Sequence, residues 1–311
     1  MRSRNHKQAV WAVYILAVCA GINAAASTIV VVRTPVDVSI AADSMATFGD
    51  ESTARVCKIY RLGEVFLGVA GTDHDAATSF NVAGIVSTAI RNVSKPADKI
   101  TSARTALTSE ILTEAKNLMS GRPQEFENVR RNGVSIALVG LDGTVPFVVG
   151  QHFTVRLDSK NEIQIVPSKA LHCPGLDCPQ GVYELHMGEA DLIQKRMDSH
   201  PRITDSVDFA RELVELEIDA HVKGVGGPID LLRISASGPT WVRRKPACPI
   251  EVIPGSSSPK PSNVTIRHAE TFRCWQDYVL EKRLRDVILI DRSANVLYVG
   301  FGLWQSVEHV E

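Results

Sequence analysis

The chain has 311 residues, 44% hydrophobic and 22% charged, with a formal net charge of -1. That is enough apolar material for one large domain with a real core, and the balance excludes a disordered chain or a nucleic-acid footprint. Aromatic residues make up only 6%, which argues against a stacking platform for bases.

The N-terminus reads as a cleaved secretory signal. Arg2, Arg4 and Lys7 form a basic region, Ala9 to Ile22 an apolar run, and Ala24-Ala25-Ala26 a small-residue cleavage site before Ser27. The run is shorter than the roughly 20 residues that a spanning helix needs. Loss of these three cations with residues 1–26 takes the formal net charge from -1 to -4. An exported, secreted or periplasmic protein is expected, with no membrane attachment after cleavage.

From Ser27 the chain reads as strands. Ile29 to Val32 and Val36 to Ala42 suit a hairpin around Arg33-Thr34-Pro35. Arg55 to Leu62 alternates, Gly63-Glu64 turns, and Val65 to Ala70 is a buried strand ending at Gly71. The apolar period then lengthens to three and four residues over 74–92 and 97–119. Two helices are expected there, broken at Pro96, with Gly121 and Pro123 closing the second. Strands resume at Val134–Leu141, Val145–Val149, Ile163–Val166 and Tyr183–Met187. Helices follow near 189–197 and 204–221, then strands at Ile229–Ile234 and Thr240–Arg243.

This order suits an α+β fold of two stacked sheets with helices on both outer faces. Residues 27–246 are read as the main domain, 247–262 with its Pro/Ser-rich stretch as a linker, and 263–311 as a small β-rich appendage.

Five cysteines remain after residue 26. Cys173 and Cys178 are expected to staple a tight loop, Cys248 and Cys274 to tie down the tail, and Cys57 to stay unpaired in a strand. A zinc site from His172, Cys173 and Cys178 is the weaker alternative, because the spacing and the missing fourth ligand are atypical. No cofactor is expected.

Five features carry chemistry in chain order: Ser27 at the cleavage site, Ala41-Ala42-Asp43-Ser44, Cys57-Lys58-Ile59-Tyr60, Gly68-Val69-Ala70-Gly71, and Gly226-Gly227-Pro228-Ile229-Asp230. Ser27-Thr28-Ile29-Val30 through Ala70-Gly71 resembles the N-terminal half of proteasome β subunits, which are N-terminal-nucleophile (Ntn) hydrolases. The element order over 27–245 looks similar as well.

The resemblance implies a four-layer αββα sandwich of Ntn-hydrolase type. It also implies cleavage of amide bonds in peptides or small amides, and a possible homo-oligomer. Asp43 lies sixteen positions after Ser27, the family's spacing from nucleophile to motif aspartate. By the same resemblance Ser27, Asp43, Lys58 and Gly71 are the catalytic set. Ser27 is the nucleophile and its own amine the base. Lys58 is the charge beside them, Asp43 its partner, and Gly71 the oxyanion donor. Counting from Lys58 without a gap gives Thr72 for that last role; Gly71 is preferred because Asp75 then takes the place of a helix-start aspartate.

Departures from the family pattern are specific. Met45 replaces a basic residue, Met187 a serine before Gly188, and Val225 a loop serine. Asp219 is the candidate for a supporting loop aspartate. Lys58 lies one position short of the family spacing, the nucleophile is Ser where the family has Thr, and Ala26 replaces the family's Gly. These departures leave a second reading open: a catalytically inactive binding or structural protein of the same fold.

Overall fold

The computed structural model of the chain describes residues 27–47, 53–75, 77–175, 178, 181–188, 190–199, 201–245 and 248, and the backbone of short strands between 262 and 299. The expected signal at 1–26, nearly all of the linker, and the side chains of the tail, Cys274 included, lie outside the described residues.

The fold is mixed α/β, with antiparallel sheets and, among the described residues, five helices. The strands in chain order are β1 (Thr28–Arg33), β2 (Asp37–Ala42), β3 (Met45–Thr47), β4 (Thr53–Arg55), β5 (Ile59–Leu62), β6 (Val65–Gly71), β7 (His74–Asp75), β8 (Phe80–Asn81), β9 (Val134–Asp142), β10 (Val145–Leu157), β11 (Ile163–Pro167), β12 (Leu171–Cys173), β13 (Tyr183–Gly188), β14 (Asp230–Ser235) and β15 (Gly238–Arg243). The helices are α1 (Val82–Ile90), α2 (Pro96–Gly121), α3 (Pro123–Asn132), α4 (Asp191–Asp198) and α5 (Ser206–Asp219).

One sheet has the order β13-β1-β2-β14-β15 and the other β11-β10-β9-β6-β5, with β12 pairing β10. β1 and β2 form the expected hairpin, with Arg33 opposite Val38. Both strands are buried at every position, so each must be covered on both faces. The side-chain contacts show how. Ile29, Val31, Val38 and Ile40 pack against Ile59, Phe66, Ala137 and Val139 of the second sheet. Val30, Val32 and Ala41 point the other way, against Ile193 of α4 and Phe209, Leu213 and Val214 of α5. The far face of the second sheet, with Leu67, Val69, Ile136 and Leu138, is covered by Val86, Leu107, Ile111 and Phe126 from α1, α2 and α3. Alternation along a single strand thus sends successive side chains into different cores.

The structure corrects several expectations. Residues 74–81 are not helical: β7 pairs with β8, and α1 begins at Val82, where the Asn81 side chain caps it by accepting from the Gly84 amide at 3.0 Å. Asp75 therefore does not start a helix; it lies in β7 and pairs with Arg122. Pro123 does not close a helix but opens α3 from its first turn, a position where its missing N–H costs nothing. The expected strand Arg55–Leu62 is two strands, and Lys58 lies in the irregular link between them.

Cys57 is not unpaired. It forms a disulfide with Cys248, which rules out the expected bond from Cys248 to Cys274, while Cys173 and Cys178 are bonded as expected. Beyond the main fold, Ser262–Val264 pairs with Phe272–Cys274, Val279–Glu281 with β4, and Ile288–Ile290 with Val296–Val299. No helix among the described residues is long and apolar enough to cross a membrane.

Candidate active site

β1 and β2 run antiparallel, so the start of one lies beside the end of the other. Ser27 immediately precedes β1 and is 7% exposed; Asp43 immediately follows β2 and is fully buried. The Asp43 amide donates to the Thr28 carbonyl at 3.1 Å, which fixes the two ends together. The Asp43 carboxylate then collects four donors. Its Oδ1 accepts from the Thr28 amide at 2.8 Å and the Lys58 ammonium at 2.5 Å; its Oδ2 accepts from the amides of Met45 at 2.9 Å and Gly226 at 3.1 Å. A buried carboxylate is tolerable only with such full pairing.

Lys58 is 2% exposed, and besides Asp43 it donates to the Met45 carbonyl at 2.6 Å. Its backbone is held as well, because its carbonyl accepts from the Val69 amide at 3.0 Å. One oxygen of Asp43 thus joins the Lys58 charge to the Ser27–Thr28 peptide. The structure brings Ser27, Asp43 and Lys58 together from three separate segments.

A second lysine, half-buried, lies beside this centre. Lys245 lies 2.9 Å from Asp230 Oδ2 and donates to Ser44 Oγ at 2.8 Å and to the Val56 carbonyl. Burial pushes its pKa down, and the Asp230 carboxylate opposes that shift. The Cys57–Cys248 disulfide joins the residue before Lys58 to the segment after Lys245, so one covalent link clamps both lysine-bearing segments. Sequence reading missed Lys245. Its partner Asp230 stood in the fifth motif, but nothing local marks a lysine just beyond β15 as turned inward.

Glu217 was also missed. It is 1% exposed on α5 and accepts a hydrogen bond from the Thr28 hydroxyl. Asp219, the expected supporting aspartate, is exposed at the end of that helix, two residues beyond the buried Glu217. Met187 and Val225 are buried apolar side chains.

Gly71 ends β6 with φ +84°, and a Cβ there would lie 2.5 Å from the Gly133 carbonyl oxygen, so only glycine fits. Thr72, the alternative oxyanion donor, already gives its amide to Gly133 O at 3.1 Å. Hydrogen-bonded and non-bonded pairs alternate along an antiparallel ladder, so the neighbouring Gly71–Val134 pair is non-bonded there. The Gly71 N–H accordingly points away from β9, toward the side where β5 has not yet begun.

Gly188, at the end of β13, has φ +91°, and a Cβ on it would fall 1.6 Å from the Ser27 carbonyl oxygen. Gly71 and Gly188 both line a cavity of about 530 Å³, walled by β9, β10, β12 and β13. In that wall His152 Nδ1 is 2.7 Å from Ser135 Oγ, and burial lowers the His152 pKa. The His186 pKa is raised by its hydrogen bond to Glu184, against an opposing effect of burial. Among the described residues no cluster of metal-ligating side chains occurs, and the cysteines of the alternative zinc site are consumed in their disulfide.

No family model matches the chain, and no curated protein matches it. Among solved structures it is similar to a Gly-1 mutant of Anbu from Hyphomicrobium sp. strain MC1. The identity is 16%, the TM-score 0.44, and the match covers 74% of this chain and 89% of that one.

Proposed function

We propose that the chain is an exported Ntn hydrolase with the four-layer αββα arrangement of the proteasome β-subunit type, cleaving amide bonds in peptides or small amides. The observation that carries this reading is Asp43 Oδ1, shared between the Thr28 amide at 2.8 Å and Lys58 Nζ at 2.5 Å. That bridge keeps a buried cation two hydrogen bonds from the residue that becomes the N-terminus when residues 1–26 are removed.

The freed α-amine of Ser27, with a pKa near 7.7–8.0 for such groups, takes the proton from its own hydroxyl. The hydroxyl oxygen attacks the amide carbon, and the Lys58 charge lowers the energy of the attacking oxygen while disfavouring a protonated amine beside it. The oxyanion receives the Gly71 N–H, which has no ladder partner on the β9 side. The amine returns its proton to the leaving nitrogen, an ester forms on Ser27, and water then releases the acid. The two disulfides accord with an oxidising compartment.

N-terminal sequencing of the mature protein tests the premise, and Ser27→Ala tests the chemistry. A mature chain beginning Ser-Thr-Ile-Val, whose hydrolysis of model amides Ser27→Ala abolishes, supports the reading; unchanged hydrolysis in that variant overturns it. The second reading, an inactive binding protein of the same fold, is favoured by buried Met187 and Val225 standing where supporting serines are expected. It takes the lead if the mature chain keeps residues 1–26, since Ser27 then has no free amine.

A further inference from the structure

Lys245 stands one step behind the groups that act at Ser27. Asp230 grips it twice: Oδ1 accepts from the Lys245 backbone amide at 2.8 Å, and Oδ2 lies 2.9 Å from the ammonium. The Lys245 side chain is 10% exposed and the Asp230 side chain 1%. An ammonium has three N–H donors. Here they meet Asp230 Oδ2, Ser44 Oγ at 2.8 Å and the Val56 carbonyl. All three donors are committed, so Lys245 has none left for a substrate.

The two neutral acceptors show what the cation does. Ser44 directly follows Asp43, and Val56 lies two residues before Lys58. Both lie between strands, where no continuing ladder holds the chain. The Val56 amide donates to the Ser44 carbonyl at 2.7 Å, and the Ser44 amide to the Gly226 carbonyl at 2.9 Å. The Ser44 hydroxyl donates to the Pro228 carbonyl, so its proton is committed as well. One ammonium thus ties the segment that bears Asp43 to the segment that bears Lys58, and ties both to Asp230 on β14.

We propose that Lys245 is a positioning residue for the reaction at Ser27, holding the Asp43 and Lys58 segments at the separation that their ion pair requires. The inference rests on the hydrolase reading above and adds a residue to it. Asp230 is the necessary partner, because it makes a cation tolerable there and fixes where the ammonium sits. If the two segments drift apart, the Lys58 charge moves away from the attacking oxygen. Misalignment of that kind slows turnover and leaves substrate binding alone.

Two variants test this. Lys245→Met strands the Asp230 carboxylate, so it is expected to lose stability as well as rate. The double variant Lys245→Met, Asp230→Asn removes both charges, keeps an acceptor for the backbone amide at position 245, and is expected to melt close to the parent. In the double variant, measured where both proteins are folded, kcat for a model amide is expected to fall about tenfold with KM within about twofold of the parent's. The amides of Thr28, Met45 and Gly226, which Asp43 holds, are expected to exchange with solvent about tenfold faster. A variant whose only defect is stability would recover its kcat once the pair is neutral. Parent-like kcat or parent-like exchange in the double variant overturns the proposal. If the parent shows no Ser27-dependent hydrolysis, the hydrolase reading falls, and the exchange measurement alone decides whether Lys245 holds the Asp43 centre.

Discussion

The two sides of the Ser27 residue are built on opposite plans. On one side, around Asp43, Lys58 and Lys245, each buried charge faces a partner: Asp43 takes four donors, and Lys245 meets a carboxylate, a hydroxyl and a carbonyl. On the other side the cavity wall keeps the Asn132 Nδ2 and Gln151 Oε1 unpaired. A closed network holds one geometry because any displacement exposes an uncompensated charge. The unpaired atoms of that wall are shut off from solvent as well, so the cavity side leaves hydrogen-bonding capacity unsatisfied. The contrast separates a satisfied network from an unsatisfied one, and each plan makes a different kind of variant costly.

The largest expected effect is covalent. Cys57–Cys248 closes a loop of 191 residues, and Cys173–Cys178 one of only 5. Chain-entropy arguments give about 5 kcal/mol for the first and about 2 kcal/mol for the second. Cys57→Ala/Cys248→Ala should therefore lower the melting temperature far more than Cys173→Ala/Cys178→Ala, and should also abolish hydrolysis by freeing both lysine segments. Comparable losses for the two pairs would show that the clamp does not hold the closed side.

Next comes Asp43→Ala. It strands the buried Lys58 ammonium and three backbone amides, and removing one partner of a buried pair costs about 3–5 kcal/mol. Chemical denaturation should report that loss as a lower midpoint. A loss below about 1 kcal/mol would mean that the network is not closed as described.

These residues also mark what the sequence made legible. The hairpin of β1 and β2 was readable because β-branched residues run without interruption from Ile29 to Val32, the signature of a strand covered on both faces. Asp43 and Lys58 were readable through short motifs at a recognisable spacing from Ser27. Glu217 and Lys245 were not, since they lie 189 and 201 residues from the groups they bond, Thr28 and Ser44, and only the folded chain brings them near. Helix α3 was hidden for a different reason. It buries only Phe126 and Val129, too little apolar periodicity to stand out, and its leading proline looked like a terminator. At residues 74–81 the helical period was carried back ahead of its true start at Val82, although Asn81 offered a capping signal three residues before Gly84.

A third region, outside the cavity, holds a buried carboxyl whose proton can be followed by pH. Glu114, 3% exposed on α2, has its pKa pushed up to about 7, first by burial and then by its hydrogen bond to Asp75, whose own carboxyl is held low. A folded-state pKa above the unfolded value means that the folded chain holds the proton longer. Stability is therefore complete below pH of about 4.5 and is lost as the pH rises through 7, by at most about 3 kcal/mol. The parent should melt several degrees lower at pH 8 than at pH 5, relative to Glu114→Gln, which removes this titration. Identical pH dependence in the two proteins would show that the Glu114 carboxyl is already ionised in the folded state at pH 5.

The smallest effect on stability is the sharpest test of the contrast. Gln151→Met removes the orphan Oε1, which relieves an unpaired buried acceptor, but it also forfeits the hydrogen bond from Nε2 to the Ser168 carbonyl. The two changes oppose each other, and the side chains are close in volume, so the net change in stability should stay within about 1 kcal/mol. If Gln151→Met instead unfolds the protein as readily as Asp43→Ala, then Gln151 belongs to a closed network after all. The cavity wall would then be as tightly held as the Asp43 side.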